Sequence, residues 1–141
     1  AFLKVWKERG MAEAGIKLGG HYGVGLVFLN RDPALAAAAR ADLRAELAQE
    51  GLTVAGWRVV PINPDACGEE SRKTLPHIEQ VFVNPPADML PEAMERHLFV
   101  ARRRANQRIR ARDPVYYVLS LSGRMRGRRT RGLVMPVRLV I

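Results

Sequence analysis

The stretch from Asp32 to Pro61 allows few folds, because it carries a helix start, a helix stop and a strand stop in close succession. Asp32 offers an acceptor side chain at a cap position, and Pro33 takes the first helical position, where a missing N–H costs nothing. Leu35, Ala39, Leu43 and Leu47 then recur every four residues, with Arg40, Asp42, Arg44 and Glu46 around them, up to Gly51 as the stop. So narrow a stripe on an alanine-rich helix predicts close packing on a sheet. Leu52 to Val60 is rich in β-branched and apolar residues, and Pro61 cannot continue a central ladder. The helix therefore leads straight into a strand with a hard end.

On either side the same logic repeats. Phe2, Val5 and Trp6 at helical spacing predict a first helix ending near Gly15, and Ile16 to Gly20 reads as a connector. Tyr22 to Leu29 predicts a strand with Tyr22, Val24, Leu26 and Phe28 on one face, while Gly23 and Gly25 on the other imply a closely packed neighbour. Those glycines are no dinucleotide cradle, since neither a third glycine nor a helix start follows them. After a loop over 65–74 comes a strand from Ile78 to Val83, stopped by Asn84-Pro85-Pro86. From Pro91 to about Arg112 the stripe Met94, Leu98, Ala101, Ala105 and Ile109 predicts a second long helix, and Val115 to Leu121 a further strand. Gly123 to Gly132 reads as a loop or disordered tract, and Leu133 to Ile141 as a candidate last strand cut or altered at its end. The order αβαββαβ argues for an α+β domain with helices over a sheet, and a ferredoxin-like split βαβ arrangement is one such domain.

With 141 residues, 48% of them hydrophobic, one core is expected and two are not. No run approaches a membrane span, and the single Cys67 can form no internal disulfide, which together give an expectation of a cytoplasmic protein without membrane contact. The net charge of +9 is regional: Arg96 to Arg131 holds twelve of the 23 basic residues against one acid, Asp113. A solvated arginine-rich face is the first reading of that region. The alternative is a nucleic-acid-binding module using Arg96, Arg102, Arg103, Arg104, Arg108, Arg126, Arg128, Arg129 and Arg131, although the exposed aromatic pairs of an RNA-reading sheet are not evident. His21, His77 and His97 have no metal-ligand spacing and read as capped or solvated; the carboxylates read as solvated helix surface; Trp6 and Trp57 read as core.

Four fragments in order resemble a known family: Glu13-Ala14-Gly15-Ile16 before Tyr22-Gly23-Val24-Gly25-Leu26-Val27-Phe28-Leu29; Gly56-Trp57-Arg58-Val59-Val60-Pro61; Ile78-Glu79-Gln80-Val81-Phe82-Val83; and Phe99-Val100-Ala101-Arg102-Arg103 before Tyr116-Tyr117-Val118-Leu119-Ser120-Leu121-Ser122. Together they resemble an internal segment of the glutaminase (class II glutamine amidotransferase) domain of the glutamate synthase large subunit. That resemblance covers 1–122, with 123–141 a divergent arginine-rich tail, the whole being a single domain or a domain fragment. It implies part of an N-terminal nucleophile hydrolase αββα sandwich, in an enzyme that hydrolyses glutamine and passes the ammonia on for glutamate synthesis. It also implies FMN, iron-sulfur clusters and NADPH or ferredoxin as electron donor elsewhere in the parent enzyme, with the remainder of that polypeptide or a complementary subunit as partner. The family's nucleophile is a cysteine at the processed N-terminus whose own α-amino group is the base; residue 1 here is Ala1, Cys67 sits in a Pro-Asp-Ala-Cys-Gly loop, and the His-Asn-Gly oxyanion motif is not found. The expectation is therefore no catalytic, cofactor-binding or metal-binding residue in this chain.

Overall fold

Residues 16–60 and 76–125 are described by the computed structural model. The predicted first helix, the loop over 65–74 and the last strand lie outside them. Within them the order is β1 (His21–Leu29), α1 (Pro33–Gln49), β2 (Thr53–Val59), β3 (His77–Asn84), α2 (Pro91–Arg110) and β4 (Tyr117–Met125).

Local chemistry sets the bounds much as the sequence predicts. Asp32 caps α1 by accepting from the Ala34 amide at 2.9 Å, Pro33 opens the helix, and Gly51 follows it at φ +75, a conformation costly for any residue with a Cβ. The α1 stripe is shifted from expectation: Ala36, Ala39, Leu43, Glu46 and Leu47 are buried and Leu35 only half-buried, because the helix packs on a sheet and on α2 at once. The α2 stripe is as predicted, with Met94, Leu98, Ala101, Ala105 and Ile109 all buried. β4 is longer than predicted at its C-terminal end. Gly123, Arg124 and Met125, expected in a loop, pair with Gly23, Tyr22 and His21 of β1; an edge strand tolerates glycine and arginine where one side of the ladder is satisfied.

The four strands form one antiparallel sheet in the order β2-β3-β1-β4. β1 and β2 are thus parallel with β3 between them, and β3 and β4 are parallel with β1 between them, each pair joined by one helix. This is the split βαβ arrangement, of α+β class. Both helices cover the same face. Val27 and Leu29 of β1, Val81 and Val83 of β3, and Val118 and Leu121 of β4 join both helical stripes, Leu52 and Tyr116 in one cluster, with Trp57 partly buried against it. The core therefore lies on the glycine-bearing face of β1. Leu98 packs over Gly23, where an added Cβ would lie 3.2 Å from a Leu98 methyl; at Gly25 an added Cβ would lie 2.5 Å from the Ser120 carbonyl oxygen. The opposite face carries a smaller cluster of Ile16, Tyr22 and Phe82 with Leu18, Val24 and Ala55. The Asn84 side chain fastens the connector there, donating to the Lys17 carbonyl and accepting from the Gly19 amide.

Candidate functional site

Among the described residues, polar side chains converge in three places, and each has a residue-level cause. The first lies where α1 crosses β3. Glu79 faces the helices because it is opposite Val27 in the ladder, and it is only 5% exposed. A carboxylate so placed requires partners. Arg40 grips both of its oxygens, with Nε donating at 3.0 Å, and His77, two residues along the same strand face, donates from Nε2 at 2.6 Å.

The second lies between the helices. Asp42 and Glu46 of α1 and Glu50 at its C-cap stand on one line, and Arg104 and Arg108 of α2 and Arg112 just past its end on another, both at the spacing that stacks side chains on a helix face. Arg104 reaches Glu50 at 3.3 Å, Arg108 reaches Glu46 and Asp42 at 3.3 Å each, and Arg112 bonds Asp42. His97 Nδ1 adds a bond to Glu50 at 3.0 Å. The order of these pairs makes the helices antiparallel.

The third runs along the outer strand. From α2, Glu95 and Arg102 bond the backbone of β4 at the Gly123 amide and the Val118 carbonyl, and Arg110 bonds the Tyr116 carbonyl just before the strand. Arg110 also lies over the Tyr117 ring, and Arg103 over the Phe99 ring, each 5.8 Å from the centroid. Where α2 runs into β4, the fully buried Asp113 accepts from Asn30 Nδ2 at 3.1 Å and from the Val115 amide at 3.2 Å, tying the end of β1 to that turn. Burial holds the neighbouring Tyr116 phenol well above its usual range, against the lowering effect of Arg102 and with a smaller raising effect of Asp42. Burial alone lowers the Arg58 guanidinium.

These findings revise three expectations. The arginines of α2 are not a uniformly solvated face: of those in the nucleic-acid alternative, Arg104 and Arg108 are held by carboxylates, Arg102 by a main-chain carbonyl and Arg103 by a ring, while Arg96 is exposed and Arg126, Arg128, Arg129 and Arg131 lie outside the described residues. The carboxylates of α1 are ion-paired rather than merely solvated. An aromatic pair does lie on the helix-free sheet face, with Phe28 and Tyr117 at a 6.3 Å centroid separation, one of its rings already covered by Arg110. Sequence reasoning missed the helix ladder although its signal was present, in two charge series of equal spacing and opposite sign. Glu79 had no such signal, because its partner Arg40 is 39 residues away.

Chemically these groups bind one another. His21 Nε2 is 3.0 Å from the Met89 carbonyl, so each of the three histidines has a carboxylate or carbonyl partner. Among the described residues no group of three or more His, Cys, Asp or Glu side chains could hold a metal ion, and none is a cysteine of the kind iron-sulfur clusters need. Nor, among them, is any helix long and apolar enough to cross a membrane. Cys67 lies outside the described residues.

Comparison with known proteins gives these arrangements a setting. The chain is 39% identical over 106 residues to ferredoxin-dependent glutamate synthase 2 of Synechocystis sp., covering 75% of this chain and 7% of that protein. It is 41% identical over 83 residues to the chloroplastic ferredoxin-dependent glutamate synthase of Spinacia oleracea, covering 59% and 5%. With the glutamate synthase [NADPH] large chain of Azospirillum brasilense the identity is 37% over 103 residues, covering 72% and 7%. This chain thus spans only a small part of the length of those relatives. The family model for class-II glutamine amidotransferases matches residues 2–139. The split βαβ unit, with its helices tied by the arginine-carboxylate ladder, accordingly belongs to the class-II glutamine amidotransferase family, in its glutamate synthase branch.

Proposed function

We propose that this chain is a framework segment of a glutamate synthase-type glutaminase domain, shaping that domain without supplying its chemistry. The observation that carries the reading is the family match over 2–139 in a chain that covers 5% to 7% of the three relatives described above. The side chains support it. Amide hydrolysis needs an activated nucleophile and donors aimed at the developing oxyanion. In the described residues the histidines and buried acids are instead joined to each other, to arginines and to the main chain, where they fix helix to helix and helix to strand.

In this reading the four-stranded sheet and its helices are one part of a larger αββα sandwich, and the longer polypeptide hydrolyses glutamine and passes ammonia on for glutamate synthesis. Flavin, iron-sulfur clusters and the electron donor act in other parts of that polypeptide.

Two measurements test the proposal. The purified 141-residue chain, incubated with glutamine, is expected to release no ammonia above the blank, and measurable turnover would overturn the framework role. Grafted in place of the matching segment of the Azospirillum brasilense large chain, it is expected to preserve glutamine hydrolysis; a folded but inactive graft would count against the assignment.

A further inference from the structure

The arginines of α2 and of the turn that follows it divide by the side they occupy. Toward α1, Arg104, Arg108 and Arg112 are neutralised by Glu50, Glu46 and Asp42. Toward β4, Arg102 and Arg110 bond main-chain carbonyls and Arg103 covers the Phe99 ring. Carbonyls and rings orient a guanidinium without cancelling its charge, so this side, with Glu95 as its acid at Gly123, remains net positive. Large apolar groups are exposed beside them: Phe99 on α2 is 57% exposed, Leu119 on β4 42% and Val115 in the turn before β4 41%. Because Glu95 meets Gly123 and Arg102 meets Val118, Phe99 lies between those two contacts, alongside the stretch of β4 that includes Leu119. Apolar groups ringed by oriented arginines have the composition of a protein interface, with aromatic and arginine anchors at its centre and charge at its rim.

We infer that this face of α2 and β4 docks on an acidic-rimmed, apolar-centred surface of the longer amidotransferase polypeptide to which the segment belongs. The inference rests on the framework reading. Two observations choose this occupant: the cationic rim requires an acidic counterpart, and the matched relatives hold more than nine-tenths of their length outside the matched segment. A nucleic acid suits the face less well. Two of the three apolar groups, Leu119 and Val115, are aliphatic and give bases nothing to stack on.

The test uses the grafted Azospirillum brasilense chain and the isolated chain in parallel, each with Phe99→Asp and Leu119→Asp. The isolated chain should melt unchanged, since both residues face solvent, whereas proteolytic cleavage within 91–125 of the graft should accelerate by about tenfold or more, as loss of interface anchors requires. Equal cleavage of substituted and unsubstituted grafts would overturn the docking face while leaving the framework reading intact. An unsubstituted graft that fails to hydrolyse glutamine would instead count against the framework reading. If the aspartates unfold the isolated chain, Arg103→Glu repeats the comparison from an exposed position. Salt-dependent binding of single-stranded DNA by the isolated chain, lost in the double variant, would reassign the face to nucleic acid. A dimer of the isolated chain that the double variant dissolves would reassign it to a second copy.

Discussion

Glu79 and Tyr116 show how differently two buried polar groups are accommodated. Glu79 is held by Arg40 and His77, so truncating Arg40 leaves a nearly buried carboxylate with only the imidazole. Arg40→Ala should cost about 3 kcal/mol in urea denaturation, and adding Glu79→Leu to it should recover much of that loss, because a charge without its main partner is worse than none. An unchanged midpoint for Arg40→Ala would show that water satisfies the carboxylate. Tyr116 is fully buried and its hydroxyl is without a hydrogen-bond partner. Tyr116→Phe should therefore be neutral or stabilising by up to about 1 kcal/mol, with no unmet donor left to bury. The raised phenol pKa carries a sign. The unfolded chain releases this proton near 10.0 and the folded chain only at higher pH, so its contribution is complete below 10.0 and is lost as pH rises beyond it. The loss should be about 1.4 kcal/mol per pH unit, and Tyr116→Phe should remove one proton's worth of that slope.

At the scale of elements, the contact between strands and helices is set by what glycine leaves open. Gly23 and Gly25 lie on one face of β1, and a rule based on composition treats them alike. Their surroundings differ: over Gly23 are flexible Leu98 methyls, while beside Gly25 are the backbone oxygen of Ser120 and the Leu121 side chain. Gly23→Ala should cost about 1 kcal/mol or less and Gly25→Ala about 3 kcal/mol, since a leucine can rotate and a paired strand cannot retreat. Thermal melts that rank the two in the opposite order would place β4 differently. The expectation of a close neighbour over these glycines was legible in the sequence. Which neighbour each would meet was not, because that depends on the order in which strands assemble.

At the scale of the molecule, β4, an outer strand among the described residues, is the feature most exposed to unwanted pairing. Among the described residues β4 has a strand partner on one side, and α2 meets its backbone through Arg102 and Glu95, with Arg110 on the Tyr116 carbonyl just before it. Side chains laid across a strand edge block a second strand from pairing there. Arg102→Ala with Arg110→Ala should leave the circular dichroism spectrum unchanged and make the chain self-associate as concentration rises, read by light scattering. A variant that stays monomeric at every concentration would show that the arginines do not guard the edge.

Read by itself, the sequence determined most of the helices and strands of the described chain and their α+β class, because caps, prolines and apolar spacing act over a few residues, while the family came from the resemblance of four fragments to a known one. It also carried both rows of charge that join α1 to α2. The tertiary structure alone decided which strands are neighbours, that the core lies on the glycine face of β1, that Gly123 to Met125 extend a strand, and that the arginines divide into a neutralised and a charged side. Each of these depends on groups far apart in the chain meeting at atomic distance, and a spacing rule read along one segment does not contain the position of another.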